Sequence, residues 1–395
     1  MRMLLVTAGS RGDVEPFAVL ARRIQGAGHA VRLALPDNSG VDVTGLDVTA
    51  LGVDYSTLIQ QQGVSFAAVL RSYRTVVRPA MHEVLIGSVR AALDYAPDVL
   101  VAHPKILSAP LIADGLGIPF VWVEMVPAVT PTAEFPAAGT VTRNLGPFNR
   151  LTYGAAAGGA AMFRQDLKEA ARLVGAQGAA PRASATLMPI SPAILQRPAD
   201  WPPTVHLTGP WRGGAPEPVP REVSDFIAEG DFVYAGFGSM VAGDPVARAR
   251  EVIRGIRATG ARALVATGLG GLSVPSDVTG TDALVTRSVA HDVVLPRAAA
   301  AVHHGGIGTV QAATAAGTVS VVVPFIADQP FWGSRLNARG LGPAPIRRRA
   351  LTSARLAAAL SRVDQYRPAV RDAARSMAAE DGPAAALAVL ETVGR

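Results

Sequence analysis

Residues 3–6 form an unbroken apolar run that stops at Thr7-Ala8-Gly9, and the stretch that follows changes its period. From 16 to 27 the apolar residues Phe17, Leu20, Ala21 and Ile24 recur at three- and four-residue spacing, which puts them on one face of a helix. The opening unit is thus strand, turn, helix. Similar apolar runs at 30–35, 99–102 and 120–123 predict strands, and 109–115 predicts a helix. Runs this apolar leave no face for water, so they predict parallel strands covered by helices on both sides.

After a predicted strand at 205–208, the segment Trp211-Arg212-Gly213-Gly214-Ala215-Pro216-Glu217-Pro218-Val219-Pro220 is too rich in Gly and Pro for regular structure. It predicts a linker over 211–222. Beyond it the alternation starts afresh, with strands at 232–235, 263–266, 283–286, 301–303 and 319–323 and helices at 245–258 and 309–316. The fold class expected is α/β: two Rossmann-like doubly wound domains in series, 1–210 and 223–382. The Gly/Ala stretch at 154–161 fits a tightly packed helix or a loop equally well.

At 395 residues the chain is longer than one hydrophobic core normally serves, which agrees with two domains. The net charge is +6, but the basic residues are scattered arginines with one cluster at Arg347-Arg348-Arg349 and few aromatics between them, which argues against a nucleic-acid surface. Only Lys105 and Lys168 are lysines. The absence of cysteine removes disulfides, Cys-ligated zinc and thiol chemistry together, and fits a cytoplasmic protein. No apolar run approaches the ~20 residues of a membrane span, and the N-terminal one is too short for a signal-peptide core.

Four segments carry candidate chemistry, each where a strand hands over to a loop or helix, the place where open α/β sheets bind ligands. In Gly9-Ser10-Arg11-Gly12-Asp13 the glycines admit a close ligand, Ser10 offers a hydroxyl and Asp13 a carboxylate; Ser10 and Asp13 also have the spacing of a helix capping box, and Pro16 suits an early helical position. His303-His304-Gly305-Gly306-Ile307-Gly308-Thr309 puts glycines at a helix N-terminus, where unpaired amides and the helix dipole favour a diphosphate. Zinc is a poor reading, because adjacent histidines on a strand end point apart and no further ligand spacing follows. A Rossmann fingerprint fails for want of a third glycine, Gln311 standing there, and no Walker lysine follows. Gly236-Phe237-Gly238-Ser239 is a second glycine turn, or a plain strand–helix turn. In Pro324-Phe325-Ile326-Ala327-Asp328-Gln329-Pro330 an acid beside an amide is suited to vicinal sugar hydroxyls, though Asp328 is equally placed to cap the next helix.

In this order and spacing the four segments resemble the glycosyltransferase family of bacterial antibiotic (vancomycin-type), sterol and plant secondary-metabolite enzymes. The resemblance covers nearly the whole chain, weakens over 50–95 and 125–180, and is closest where GSRGD and HHG-x-x-GT occur. It implies a GT-B fold, two doubly wound domains facing a cleft, with the first binding the acceptor, the second the nucleotide-sugar donor, and the last helix, 383–395, crossing back to the first. It implies that Asp13 is the catalytic base and that Ser10, Gly12, Ser239, His304, Gly305, Gly306, Gly308 and Thr309 surround the donor diphosphate. Ser288 and Val289 would receive the base, and Asp328 and Gln329 the donor sugar. Plant members bind the ribose with a glutamate where this chain has Ala312, so ribose recognition is unassigned; their N-terminal catalytic histidine is replaced by Asp13, and His29 is no substitute.

The activity so implied is transfer of a hexose from a UDP- or dTDP-sugar to a hydroxyl of a small lipophilic acceptor, by single displacement with inversion. No cofactor is expected, and no metal: the chain has no Asp-x-Asp motif, and the helix N-terminus after His304 would carry the leaving-group charge. Asp13, with an ordinary pKa of ~3.9, would accept the proton late, and burial under the acceptor would raise it. Phe66, Tyr73, Phe135 and Phe148 would line an apolar acceptor pocket, or serve as ordinary core. Domain closure about the linker would exclude water. The expected partners are the donor and acceptor alone, with no nucleic acid and no membrane insertion, the protein being a monomer or weak homodimer. A nucleotide-sugar epimerase, a phosphorylase or a silent nucleotide-sugar-binding protein on the same fold are the competing readings.

Overall fold

Seven parallel strands make the first sheet and five the second, in a computed structural model that describes residues 1–54, 72–179, 181–213, 219–238, 240 and 242–395, apart from the side chains of 155–157. The first sheet holds β1 (Arg2–Val6), β2 (Ala30–Leu35), β3 (Asp47–Ala50), β4 (Val99–Ala102), β5 (Phe120–Val123), β6 (Ala185–Met188) and β7 (Val205–Leu207), in the order β3-β2-β1-β4-β5-β6-β7. The second holds β8 (Phe232–Gly236), β9 (Arg262–Ala266), β10 (Ala283–Thr286), β11 (Ala300–His303) and β12 (Ser320–Val322), in the order β10-β9-β8-β11-β12. In both, the chain winds outward from its first strand in one direction and then returns to build the other. The reversal leaves a crevice at the carboxyl ends of β1 and β4, and another at β8 and β11.

Burial explains the strand composition. Met3, Leu4, Leu5 and Val6 are wholly inaccessible because helices cover both faces of the sheet. The first helix, Arg11–Gly26, supplies one cover with Val14, Phe17, Ala18, Leu20, Ala21 and Ile24. It begins five residues earlier than its apolar period suggests. Ser10 takes the N-cap position, and Pro16 lies inside the helix, where its missing N–H leaves the Gly12 carbonyl without its usual donor.

Several contacts among the described residues tie the lobes together. The C-terminal helix Gly382–Val393 packs on the first sheet through Ala386, Leu387 and Leu390, and His29 Nε2 lies 3.0 Å from Glu391 Oε1. Another tie is Gln311, which is buried in the helix Ile307–Ala315. Its Oε1 accepts the Ser191 N–H at 2.9 Å, its Nε2 donates to the Pro189 carbonyl at 3.0 Å, and the Arg212 guanidinium donates to its main-chain carbonyl. The residue that breaks the Rossmann fingerprint therefore serves as a clamp between lobes. Of the expected linker, 214–218 lies outside the described residues; Trp211 before it is buried against Phe17, with Nε1 donating to Thr208 Oγ1 at 2.9 Å, and the helix Arg221–Ala228 already belongs to the second lobe.

Candidate active site

Asp13 stands in the first turn of the helix Arg11–Gly26, at the crevice beyond β1 and β4. Its Oδ2 accepts the Ser10 N–H at 2.9 Å and faces Ser10 Oγ at 3.2 Å, so the carboxylate caps the helix start while remaining one-fifth exposed. Its Oδ1 is 2.9 Å from Lys105 Nζ and 3.4 Å from His103 Nε2, both on the loop that leaves β4. Gly9, at φ +136°, makes this possible: a Cβ there would overlap Asp13 Oδ2 and lie 2.5 Å from Lys105 Nζ.

Neighbouring charges govern the Asp13 carboxyl. Burial favours the neutral acid, but the Lys105 ammonium and then the His103 ring outweigh it and hold the Asp13 carboxyl far below the usual carboxylate range. His103 is itself buried, which depresses its pKa, and its Nδ1 accepts the Lys105 N–H at 3.1 Å. The proton of a neutral ring is therefore on Nε2, directed at Asp13. His103 and Lys105 escaped the sequence reading; the signal for them was position alone, since they follow a buried strand that becomes the neighbour of β1.

In the second lobe, β11 ends at His303, whose Nδ1 accepts the Gly305 N–H at 3.1 Å and whose side chain is wholly buried. The next residue, His304, turns the other way. Its ring lies against Gly306, where a Cβ would come within 2.5 Å of Nε2, and faces the turn at Gly238. Burial, and then the neighbouring His291, push its pKa down to about 4, so at neutral pH it is an uncharged imidazole. Gly305 has φ +88° and no room for a side chain between Val322 and Gln329. Gly306 is the N-cap of the helix Ile307–Ala315, and the first bond back to it comes from the Val310 N–H, so the amides of Ile307, Gly308 and Thr309 precede the helical ladder. Ser239 lies outside the described residues.

Asp328 sits at the start of the helix Gln329–Ala338 without capping it; its Oδ2 accepts the Trp332 indole N–H at 2.7 Å. Burial raises its pKa against the lowering effect of the Trp332 hydrogen bond, and the negative charge of Asp13 adds a smaller rise. Gln329 does not present a free amide: its Oε1 accepts the Phe325 and Ile326 N–H groups at 2.8 and 3.1 Å, and its Nε2 faces Met240 Sδ at 3.3 Å. It shapes the loop that carries Asp328.

Residues 270–390 match the family model described as Erythromycin biosynthesis protein CIII-like, C-terminal domain. An O-mycaminosyltylonolide 6-deoxyallosyltransferase of Streptomyces fradiae is 33% identical over 380 residues, a match covering 88% of this chain and 86% of that protein. The chain belongs to this glycosyltransferase family. A sterol 3-beta-glucosyltransferase of Arabidopsis thaliana is 30% identical over 421 residues, covering 98% of this chain but 64% of the plant protein, so the chain spans just under two thirds of that relative. The crystal structure of the Streptomyces sp. SF2575 glycosyltransferase SsfS6 with thymidine diphosphate has the same fold, at a TM-score of 0.63 with 20% identity and 99% of each chain covered. The fold is GT-B.

In this glycosyltransferase the remaining candidates separate. Ser288 is exposed and Val289 half-buried just beyond β10, on the same side of the sheet as the His304 loop. The acceptor-wall candidates do not form one group. Phe135 is core rather than pocket: it is 1% exposed, with Phe331 at 5.4 Å and Trp201 at 6.1 Å between ring centroids. Tyr73 donates to the Met162 carbonyl at 2.7 Å and packs on Phe163, Phe148 is two-thirds exposed, and Phe66 lies outside the described residues.

Proposed function

We propose that this protein transfers a hexose from a UDP- or dTDP-sugar to a hydroxyl of a small lipophilic acceptor, with inversion, without a metal, and with Asp13 as the base. The observation that carries the reading is an ionised carboxylate, Asp13, at the crevice of one lobe and, at the crevice of the other, a helix start whose leading amides and neutral His304 ring are suited to a diphosphate.

In this reading the acceptor oxygen attacks the anomeric carbon while the bond to the diphosphate breaks. The hydroxyl proton passes to Asp13, and the nucleoside diphosphate departs with the bonding pair. The amides of Ile307, Gly308 and Thr309 and the His304 imidazole meet the charge that develops on the leaving oxygen. Ser10 and Gly12 border the diphosphate from the other lobe, Ser288 and Val289 receive the base, and the free oxygen of Asp328 accepts from a sugar hydroxyl. The relatives' names support a lipophilic acceptor and a hexose or deoxyhexose donor. Metal independence is part of the proposal: the helix start after His304 is assigned the leaving-group charge that a metal would otherwise meet.

The test is a matrix of UDP- and dTDP-sugars against macrolide, phenolic, peptide and sterol aglycones, read by mass spectrometry with and without EDTA. The reading predicts at least one glycosylated product of inverted anomeric configuration, unchanged by chelation. Proton–deuterium exchange into the sugar without an acceptor would instead mark an epimerase, and retained configuration would overturn the displacement.

A further inference from the structure

We propose that Lys105 is a donor-responsive counter-ion: it pairs with Asp13 in the empty cleft and turns to the diphosphate when the nucleotide sugar binds, releasing the carboxylate to act as base. This rests on the reading of Asp13 as base and of the His304 loop as the diphosphate site.

The argument starts from a conflict. A carboxylate clamped by an ammonium at 2.9 Å and an imidazole N–H at 3.4 Å is a poor acceptor for an alcohol proton. Something must loosen the clamp during turnover. His103 is fixed, because it is buried and its Nδ1 is held by the Lys105 main chain. Ser10 is fixed by the helix start. Lys105 is the mobile member, 43% exposed on a long flexible stem.

The proposed destination is in the second lobe. The charges of both Lys105 and Asp13 bear on Asp328, which belongs to that lobe. Asp328 adjoins Gln329, whose carbonyl lies 3.2 Å from where a Cβ on Gly305 would be, so Asp328 stands next to the loop that would hold the diphosphate. A bound diphosphate brings more negative charge than one carboxylate and competes for the ammonium. The groups facing Asp13 are Ser10 on its own element, His103 and Lys105 from the β4 loop, and Asp328 from the other lobe. Withdrawal of Lys105 leaves Asp328, a like charge, as the main long-range influence, which favours protonation of Asp13.

The experiment follows the Asp13 carboxyl by carbon NMR in protein labelled at aspartate, assigned with Asp13→Asn, titrated with and without UDP or dTDP. The expected result is an Asp13 midpoint below the accessible range in the empty protein that climbs into it when nucleotide is bound. In Lys105→Met the midpoint should be raised and insensitive to nucleotide, and nucleotide affinity should fall about tenfold, the effect of one charge-assisted contact. Lys105→Arg, which keeps the charge, should restore nucleotide affinity. In the pH profiles, the acid limb of kcat should lie above that of kcat/KM in the wild type and coincide with it in Lys105→Met.

An Asp13 midpoint unmoved by saturating nucleotide in the wild type would overturn the proposal, as would unchanged nucleotide affinity in a folded Lys105→Met. Failure of the underlying reading looks different. Transfer surviving in Asp13→Asn would remove the base, yet leave the effect of Lys105 on nucleotide affinity standing.

Discussion

Replacing Gly9 by alanine removes no functional group, yet it should disable the site. The residue sits at φ +136°, a region closed to side chains at a cost on the order of 1–3 kcal/mol. The added Cβ would overlap Asp13 Oδ2 and lie 2.5 Å from Lys105 Nζ, so the carboxylate must swing away from Ser10 or the backbone must shift. Either response displaces the proposed base by about 1 Å, and misplacements of that size cost on the order of 100-fold in rate. The assay is kcat/KM for transfer beside calorimetric titration with UDP or dTDP. Nucleotide binding should survive, because the loop at His304 belongs to the other lobe and is left intact. A Gly9→Ala protein that folds and turns over at the wild-type rate would refute the claim that the Ser10–Asp13–Lys105 geometry governs catalysis.

Two further outcomes follow from buried polar groups. Gln311→Ala leaves the Ser191 N–H and the Pro189 carbonyl without partners, which should cost roughly 2–5 kcal/mol in urea unfolding; a change under about 0.5 kcal/mol would mean that the lobes do not depend on this clamp. His304, whose pKa falls to about 4 on folding, binds its proton more readily in the unfolded chain. Its contribution to stability is thus complete above pH 6.5 and lost as the pH falls toward 4, about 3 kcal/mol in all. Urea midpoints measured across that range should drop on acidification and drop less in His304→Asn; equal slopes would contradict the assignment.

The parts legible in the sequence were those with local signals. Apolar runs marked β1, β4, β5 and the second sheet, and the turns after them located Asp13 and His304 at the two crevices. Less was readable where the signal is tertiary. β3, with half its residues polar, has no apolar run to announce it, and the four residues of β6 are wholly buried only because other elements cover them. The start of the first helix was misplaced because Pro16 resembles an early position, whereas the cap at Ser10 governs. His103 and Lys105 acquire meaning only once the crossover lays β4 beside β1. Phe135 shows the same limit from the other side: an aromatic in a loop reads alike whether it faces a ligand or, as here, Phe331 of the opposite lobe. Gln311 was visible as a failed glycine, and its use in joining the lobes was not.

The most direct measurement is single-turnover transfer by Asp13→Asn, an almost isosteric change that keeps the helix start, with nucleotide binding measured on the same preparation. The account predicts a loss of about 100- to 10,000-fold in the transfer step with nucleotide affinity retained or raised, since Asn no longer competes with the diphosphate for Lys105. Transfer at an undiminished rate from that variant would contradict it.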